Sequence, residues 1–197
     1  MECLKGKNLA IIDLETSGTS YESSVIEVGI LRIEDGACVE TFRSTVNPGR
    51  AVAPWITELT GITSEEASAA PYFDDVIDDI ERLLRDAIFI AHNVSFDYGF
   101  IEREFMRRDR RFTSPRLCSA QLSRRLYPQY RRHSLAHLIE RHDLFVLERH
   151  RAFDDAYALW QFLQLSGEHP RFESTFHSLI KTPPTALFPE YDEPVIR

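Results

Sequence analysis

The sequence predicts an α/β fold in which a three-stranded antiparallel meander comes first and helices alternating with short strands follow. Three observations predict it. Apolar runs of strand length occupy 8–15, 24–34 and 37–46; a helical apolar spacing begins at 72; and the run AIFIA at 87–91 lies between two helical segments.

A Gly/Ser/Thr loop follows the first strand, and Asp35-Gly36 supplies the turn between the second and third. In APWITELTGIT, Pro54 with Trp55, Ile56, Leu59 and Ile62 predicts a short helix closed near Gly61. Residues 72–86 carry Phe73, Val76, Ile77, Ile80, Leu83 and Leu84 on one side of a helix, and the buried strand at 87–91 comes next. Another helix is expected over about 94–108, a short strand near 116–118, and helices over about 119–126, 134–142 and 151–165. No internal repeat is present. The expected organisation is one domain over 1–167, then a C-terminal helix near 171–181 and a proline-containing extended tail within 168–197. That tail is a candidate docking element for a protein partner.

Composition bounds the function classes. A chain of 197 residues, 43% hydrophobic and 27% charged, can bury a full core. No apolar run approaches the roughly 18 residues of a membrane span, and no signal peptide is evident, so a soluble, cytoplasmic protein is expected. Cys3, Cys38 and Cys118 are odd in number and form no CxxC pair, which argues against a disulfide framework or a cysteine zinc site. The net charge of -8 hides an uneven distribution: ten arginines between Arg103 and Arg132 face only Glu104 and Asp109. That segment reads either as a solvated helix face and loop or as a rim that contacts phosphates.

The carboxylates carry the chemistry. On the first strand Leu9, Ile11, Asp13 and Glu15 share a side, with same-side neighbours roughly 6.5–7 Å apart, so two like charges stand close together at its end. Something positive between them, or a proton on one of them, must relieve the repulsion. Asp97 is spaced four from Ile101 and eight from Phe105, which puts it on the apolar face of its helix. Asp155 shares a stripe with Ala152, Ala156, Leu159, Phe162 and Leu163, whereas Asp154 runs with Ala158 and Gln161 and is expected to face solvent or to cap. Each acid alone has a structural explanation, in a helix dipole or an arginine partner. Four together, oxygen-only, point to hard divalent cations, Mg²⁺ or Mn²⁺. His133 and His137 are i,i+4, but HSLAH lacks the glutamate of HExxH, and zinc is not expected there.

DLETSG, HNVSFD and HRAFDDA resemble, in order and spacing, the three motifs of the DEDD 3′–5′ exonucleases, the family that includes the proofreading epsilon subunit of bacterial DNA polymerase III, exonuclease X and RNase T. The resemblance covers roughly residues 7–166. It implies a ribonuclease H-like, mixed five-stranded sheet flanked by helices, with Asp13, Glu15, Asp97 and Asp155 as ligands of two metal ions. His150, Ala152 and Asp155 match the His-x-Ala-x-x-Asp of the histidine branch, which makes His150 the implied general base. It also implies that Thr16 and Gly18 approach the terminal nucleotide, that Leu59 and Ile62 wedge against the terminal bases, and that His92, Asn93 and Phe96 line the site. The implied activity is hydrolysis at the 3′ end of DNA, single-stranded or frayed. An exoribonuclease and a binding module with vestigial activity are the alternatives.

Overall fold

The computed structural model describes residues 4–183. The expectations for Cys3 and for the tail beyond residue 183 lie outside the described residues. Strands β1 (Asn8–Thr16), β2 (Val25–Glu34) and β3 (Ala37–Thr45) form the antiparallel meander, and β4 (Ile88–Ala91) and β5 (Arg116–Cys118) extend it in parallel beyond β1. The sheet order is β3-β2-β1-β4-β5. Helices α1 (Pro54–Thr60), α2 (Ser64–Ala69), α3 (Phe73–Leu84), α4 (Ser95–Met106), α5 (Ser119–Leu126), α6 (Leu135–His142), α7 (Ala152–Ser166) and α8 (Phe172–Leu179) surround it.

Alternation along β1 sorts the core into two layers. Ala10, Ile12 and Leu14 pack with the apolar stripes of α3 and α4, whereas Leu9 and Ile11 pack with α5, α7 and α8. Asp13 and Glu15 continue the second set, so they emerge on the side occupied by α7. Phe172 and Phe176 of α8 are fully buried in that layer. Gly61 closes α1 in the left-handed region at φ 74°. The short α2 carries no apolar stripe that would announce it; the Thr63 hydroxyl caps it by accepting the Glu66 backbone N–H at 3.0 Å. Arg32 is buried and donates to the Leu83 and Arg85 carbonyls at 3.0 and 2.7 Å, which satisfies the otherwise orphaned end of α3.

The contact of α7 with the sheet is unusually close. Gly29 on β2 is the register partner of Asp13, and a Cβ built on it would lie 2.4 Å from the Ala152 carbonyl carbon and 2.4 Å from the Phe153 nitrogen. The first turn of α7 therefore rests directly on the β2 backbone. Gly29→Ala is expected to push that turn away, costing about 3 kcal/mol by overpacking and slowing turnover as well. Urea unfolding and steady-state rates check it, and an alanine variant with wild-type stability would contradict the close approach.

Candidate active site

Three elements and one loop deliver the expected residues to one end of the sheet. β1 ends in Asp13 and Glu15, α4 begins beside the end of β4 and presents Asp97, and the first turn of α7 presents Asp155 with His150 in the loop before it. The ligand atoms of Glu15, His150 and Asp155 lie within 4.8 Å of one another. Asp97 and Asp155 are buried, while Asp13 and Glu15 are half-buried. The Asp97 carboxylate accepts its own backbone N–H and that of Leu14, which ties α4 to β1.

Crowding shows in the proton affinities. Burial first, and then Asp97, Asp155 and Glu15, raises the Asp13 carboxyl well above its ordinary value. Glu15 is pushed up to about 8 by burial and then by Asp155, Glu27 and Asp97. Burial raises Asp97 and Asp155 too. A positive group does sit in the cluster: the Arg149 guanidinium contacts the Asp155 carboxylate and pulls down the proton affinities of Asp13, Glu15 and Asp155. An oxygen-rich, still over-negative group of this kind fits divalent cations by the chemistry of its donors. Because these carboxyls are raised in the fold, the stability that they contribute is complete below the ordinary glutamate value of 4.5 and is lost as pH rises through about 8. In EDTA the melting temperature is expected to fall over that window, and saturating Mg²⁺ to remove most of the fall. A flat profile in EDTA would contradict the crowding.

The surroundings of the remaining residues refine the sequence reading. Asp154, expected to face solvent or cap, is buried at 9% exposure and makes no capping hydrogen bond, because α7 is covered on nearly every side. Ile62 is fully buried with Ile26, Val52, Ile56 and Ala67, so of the expected wedge pair only Leu59, 47% exposed, stands at the surface. Thr16 donates to the Gly18 carbonyl at 2.7 Å, and Gly18 has φ 151°, where a Cβ would lie 2.9 Å from the Ser23 hydroxyl oxygen. Asn93 is exposed with φ 65°, and Phe96 is half-buried against Phe100. The His92 ring bonds to the Ser119 hydroxyl at 2.9 Å and to the His133 backbone, and burial drives its pKa down to about 4. Both ring nitrogens of His133 are engaged, by Ser123 at 2.8 Å and the Tyr130 carbonyl at 2.9 Å.

Glu27 escaped the sequence reading. It is fully buried on β2 opposite Glu15, accepts the Ala152 backbone N–H at 2.8 Å and pairs with Arg151 at 2.8 Å, with Arg43 at 3.6 Å. It caps α7 and pins the residue after His150. A glutamate inside the apolar run VIEVGILRI was the available signal.

An acidic cluster at the end of β1, completed from α4 and α7 of a mixed sheet, is the arrangement of a nuclease. The chain belongs to the exonuclease family, whose model it matches over residues 10–163. Members of this family work with divalent metal ions, in keeping with the donors assembled here. It is 34% identical over 149 residues to the 3′–5′ exonuclease DinG of Staphylococcus epidermidis, a match covering 75% of this chain and 16% of that protein. It is 35% identical over 160 residues to the PolC-type DNA polymerase III of Oceanobacillus iheyensis, covering 78% of this chain and 11% of that one. The chain thus spans 16% or less of the length of these curated relatives. Among solved structures, exonuclease X in complex with 5′-overhanging duplex DNA is similar at a TM-score of 0.65 and 25% identity, covering 85% of this chain and 99% of that one. No described helix is long and apolar enough to cross a membrane.

Proposed function

We propose that the chain removes nucleotides from the 3′ end of single-stranded or frayed DNA by metal-dependent phosphodiester hydrolysis. The observation that carries this reading is the convergence of Asp13, Glu15, Asp97 and Asp155 with His150 at one strand end. The preference for DNA is supported by the similarity to a PolC-type DNA polymerase III and to exonuclease X in complex with 5′-overhanging duplex DNA. Asp13, Glu15, Asp97 and Asp155 would hold two ions, Mg²⁺ or Mn²⁺. Such ions, when bound, supply positive charge that eases deprotonation of a water and offsets charge on the leaving oxygen.

The protein's own groups do the rest. His150 takes the proton of the attacking water; its backbone N–H donates to Asp155, and its φ of 60° turns the chain sharply before α7. Arg149, which contacts Asp155 here, would be free to meet a phosphate oxygen if that carboxylate held an ion instead. Thr16 and Gly18 shape the loop beside the 3′-terminal sugar, Leu59 supports the terminal base, and His92, Asn93 and Phe96 form the opposite wall.

The test is a time course on 5′-labelled single-stranded DNA and RNA of matched sequence, with Mg²⁺, Mn²⁺ or chelator. A metal-dependent ladder shortening from the 3′ end, faster on DNA, is expected. His150→Ala should lower turnover by about a hundredfold or more while Mn²⁺ affinity, read by calorimetry, stays near wild type. Loss of Mn²⁺ binding in that variant would make His150 a ligand and not the base.

A further inference from the structure

The arginine-rich segment divides into two parts with different surroundings. In the α4 part, Arg107 and Arg108 both bond to the buried Glu104 at 2.7 Å, Arg108 also reaches Asp74 at 2.7 Å, and Arg110 bonds Asp78 and Glu81 at 2.5 and 2.9 Å. Arg103 stacks over Phe100 at 4.2 Å. Acids of α3 thus neutralise most of this part.

The second part runs through α5, the loop after it and α6. Residues 119–142 hold five arginines, at 124, 125, 131, 132 and 141, against the single acid Glu140. Among the described residues none of these five arginines has a carboxylate within ion-pair distance, and Arg124, Arg125, Arg131 and Arg132 are exposed.

The loop that displays them is held firmly. His133 is bonded to Ser123 and to the Tyr130 carbonyl, the Arg141 guanidinium lies 3.8 Å from the Tyr130 ring centre, and Arg141 donates to the Arg132 carbonyl at 2.6 Å. The same loop adjoins the candidate active site, because His92 bonds both Ser119 at the start of α5 and the His133 backbone. Arg124 is also close enough to disfavour a proton on His92.

We infer that Arg124, Arg131 and Arg132 form a phosphate-binding track on which the nucleic-acid backbone lies as it leads away from the 3′ end held in the site. The inference rests on the exonuclease reading above. Exposed guanidinium groups that meet no carboxylate, on a loop anchored beside the catalytic cluster, suit a polyanionic strand; Arg132 has only a 3.4 Å contact with the His137 ring. The track reads charge and spacing and carries no base preference. It raises affinity for long substrates while leaving the chemistry on a dinucleotide unchanged.

The experiment measures binding of a long, 5′-fluorescent oligothymidylate by anisotropy in EDTA, where cleavage is blocked, across a salt series. At about 0.7 per phosphate contact on a single strand, replacing Arg124, Arg131 and Arg132 together by alanine should reduce the slope of log affinity against log salt by about 2. The triple lysine variant, which keeps the charges, should retain most of the slope. An alanine variant with the wild-type slope overturns the inference. Dinucleotide hydrolysis with Mg²⁺ is scored separately: its absence in the wild type would sink the exonuclease reading, and the slope comparison would still decide the track.

Discussion

Asp13→Asn is expected to slow 3′-end shortening by at least about a thousandfold, the scale of losing a ligand that positions charge at the reacting phosphate. The same substitution should raise the melting temperature in EDTA. Asp13 stands among Glu15, Asp97 and Asp155, whose charges raise its proton affinity, so the amide removes a repelling charge at nearly constant shape. Gains in stability and losses in rate from one atom's exchange identify a group retained for chemistry and not for folding. The metal response should shrink as well, with Mg²⁺ raising the melting temperature less than in the wild type. Rates within tenfold of wild type, or a melting temperature that falls in EDTA, would contradict this assignment.

Arg151→Met should cost about 3–5 kcal/mol in urea unfolding, because it removes the bidentate partner of a fully buried Glu27 carboxylate and leaves the half-exposed Arg43, at 3.6 Å, as its remaining cation. Glu27→Gln alone keeps an acceptor for the Ala152 N–H and should cost less. The double variant should recover part of the arginine variant's loss, since no buried charge is then left unpaired. Rate measurements separate positioning from stability. With α7 loosened beside His150, turnover in Glu27→Gln should fall more than Mn²⁺ affinity does. A cost below about 1 kcal/mol for Arg151→Met would show that water reaches Glu27 freely.

Most strand and helix positions were legible because their apolar spacing matches one period over enough residues. The stripe of Phe73, Val76, Ile77, Ile80, Leu83 and Leu84 is buried throughout, as its 3.6-residue spacing requires. Asp13 and Glu15 were legible as a pair because a strand's two-residue alternation leaves no other geometry. Asp154 was misjudged for a physical reason: the spacing test assumes one buried face, and α7 is enclosed between the sheet and neighbouring helices. Ile62 was misplaced because a loop residue after a helix has no period from which to read its direction. The division of the arginines was beyond the sequence, since Asp74, Asp78 and Glu81 are about thirty positions away from their partners. Glu27 was hidden by its context, for a single polar residue in a buried strand does not say what it meets across the sheet.

The seating of α7 on Gly29, held by Glu27, has a consequence for biosynthesis. The first carboxylates of the cluster leave the ribosome with β1, and the last arrives with a helix from much later in the chain. Until that helix docks, the two early acids lack Asp155 and His150 as neighbours. On the reading proposed above, a nascent chain would carry no assembled cutting centre until α7 has left the ribosome and docked, so competence to degrade nucleic acid would wait on a late segment of the sequence.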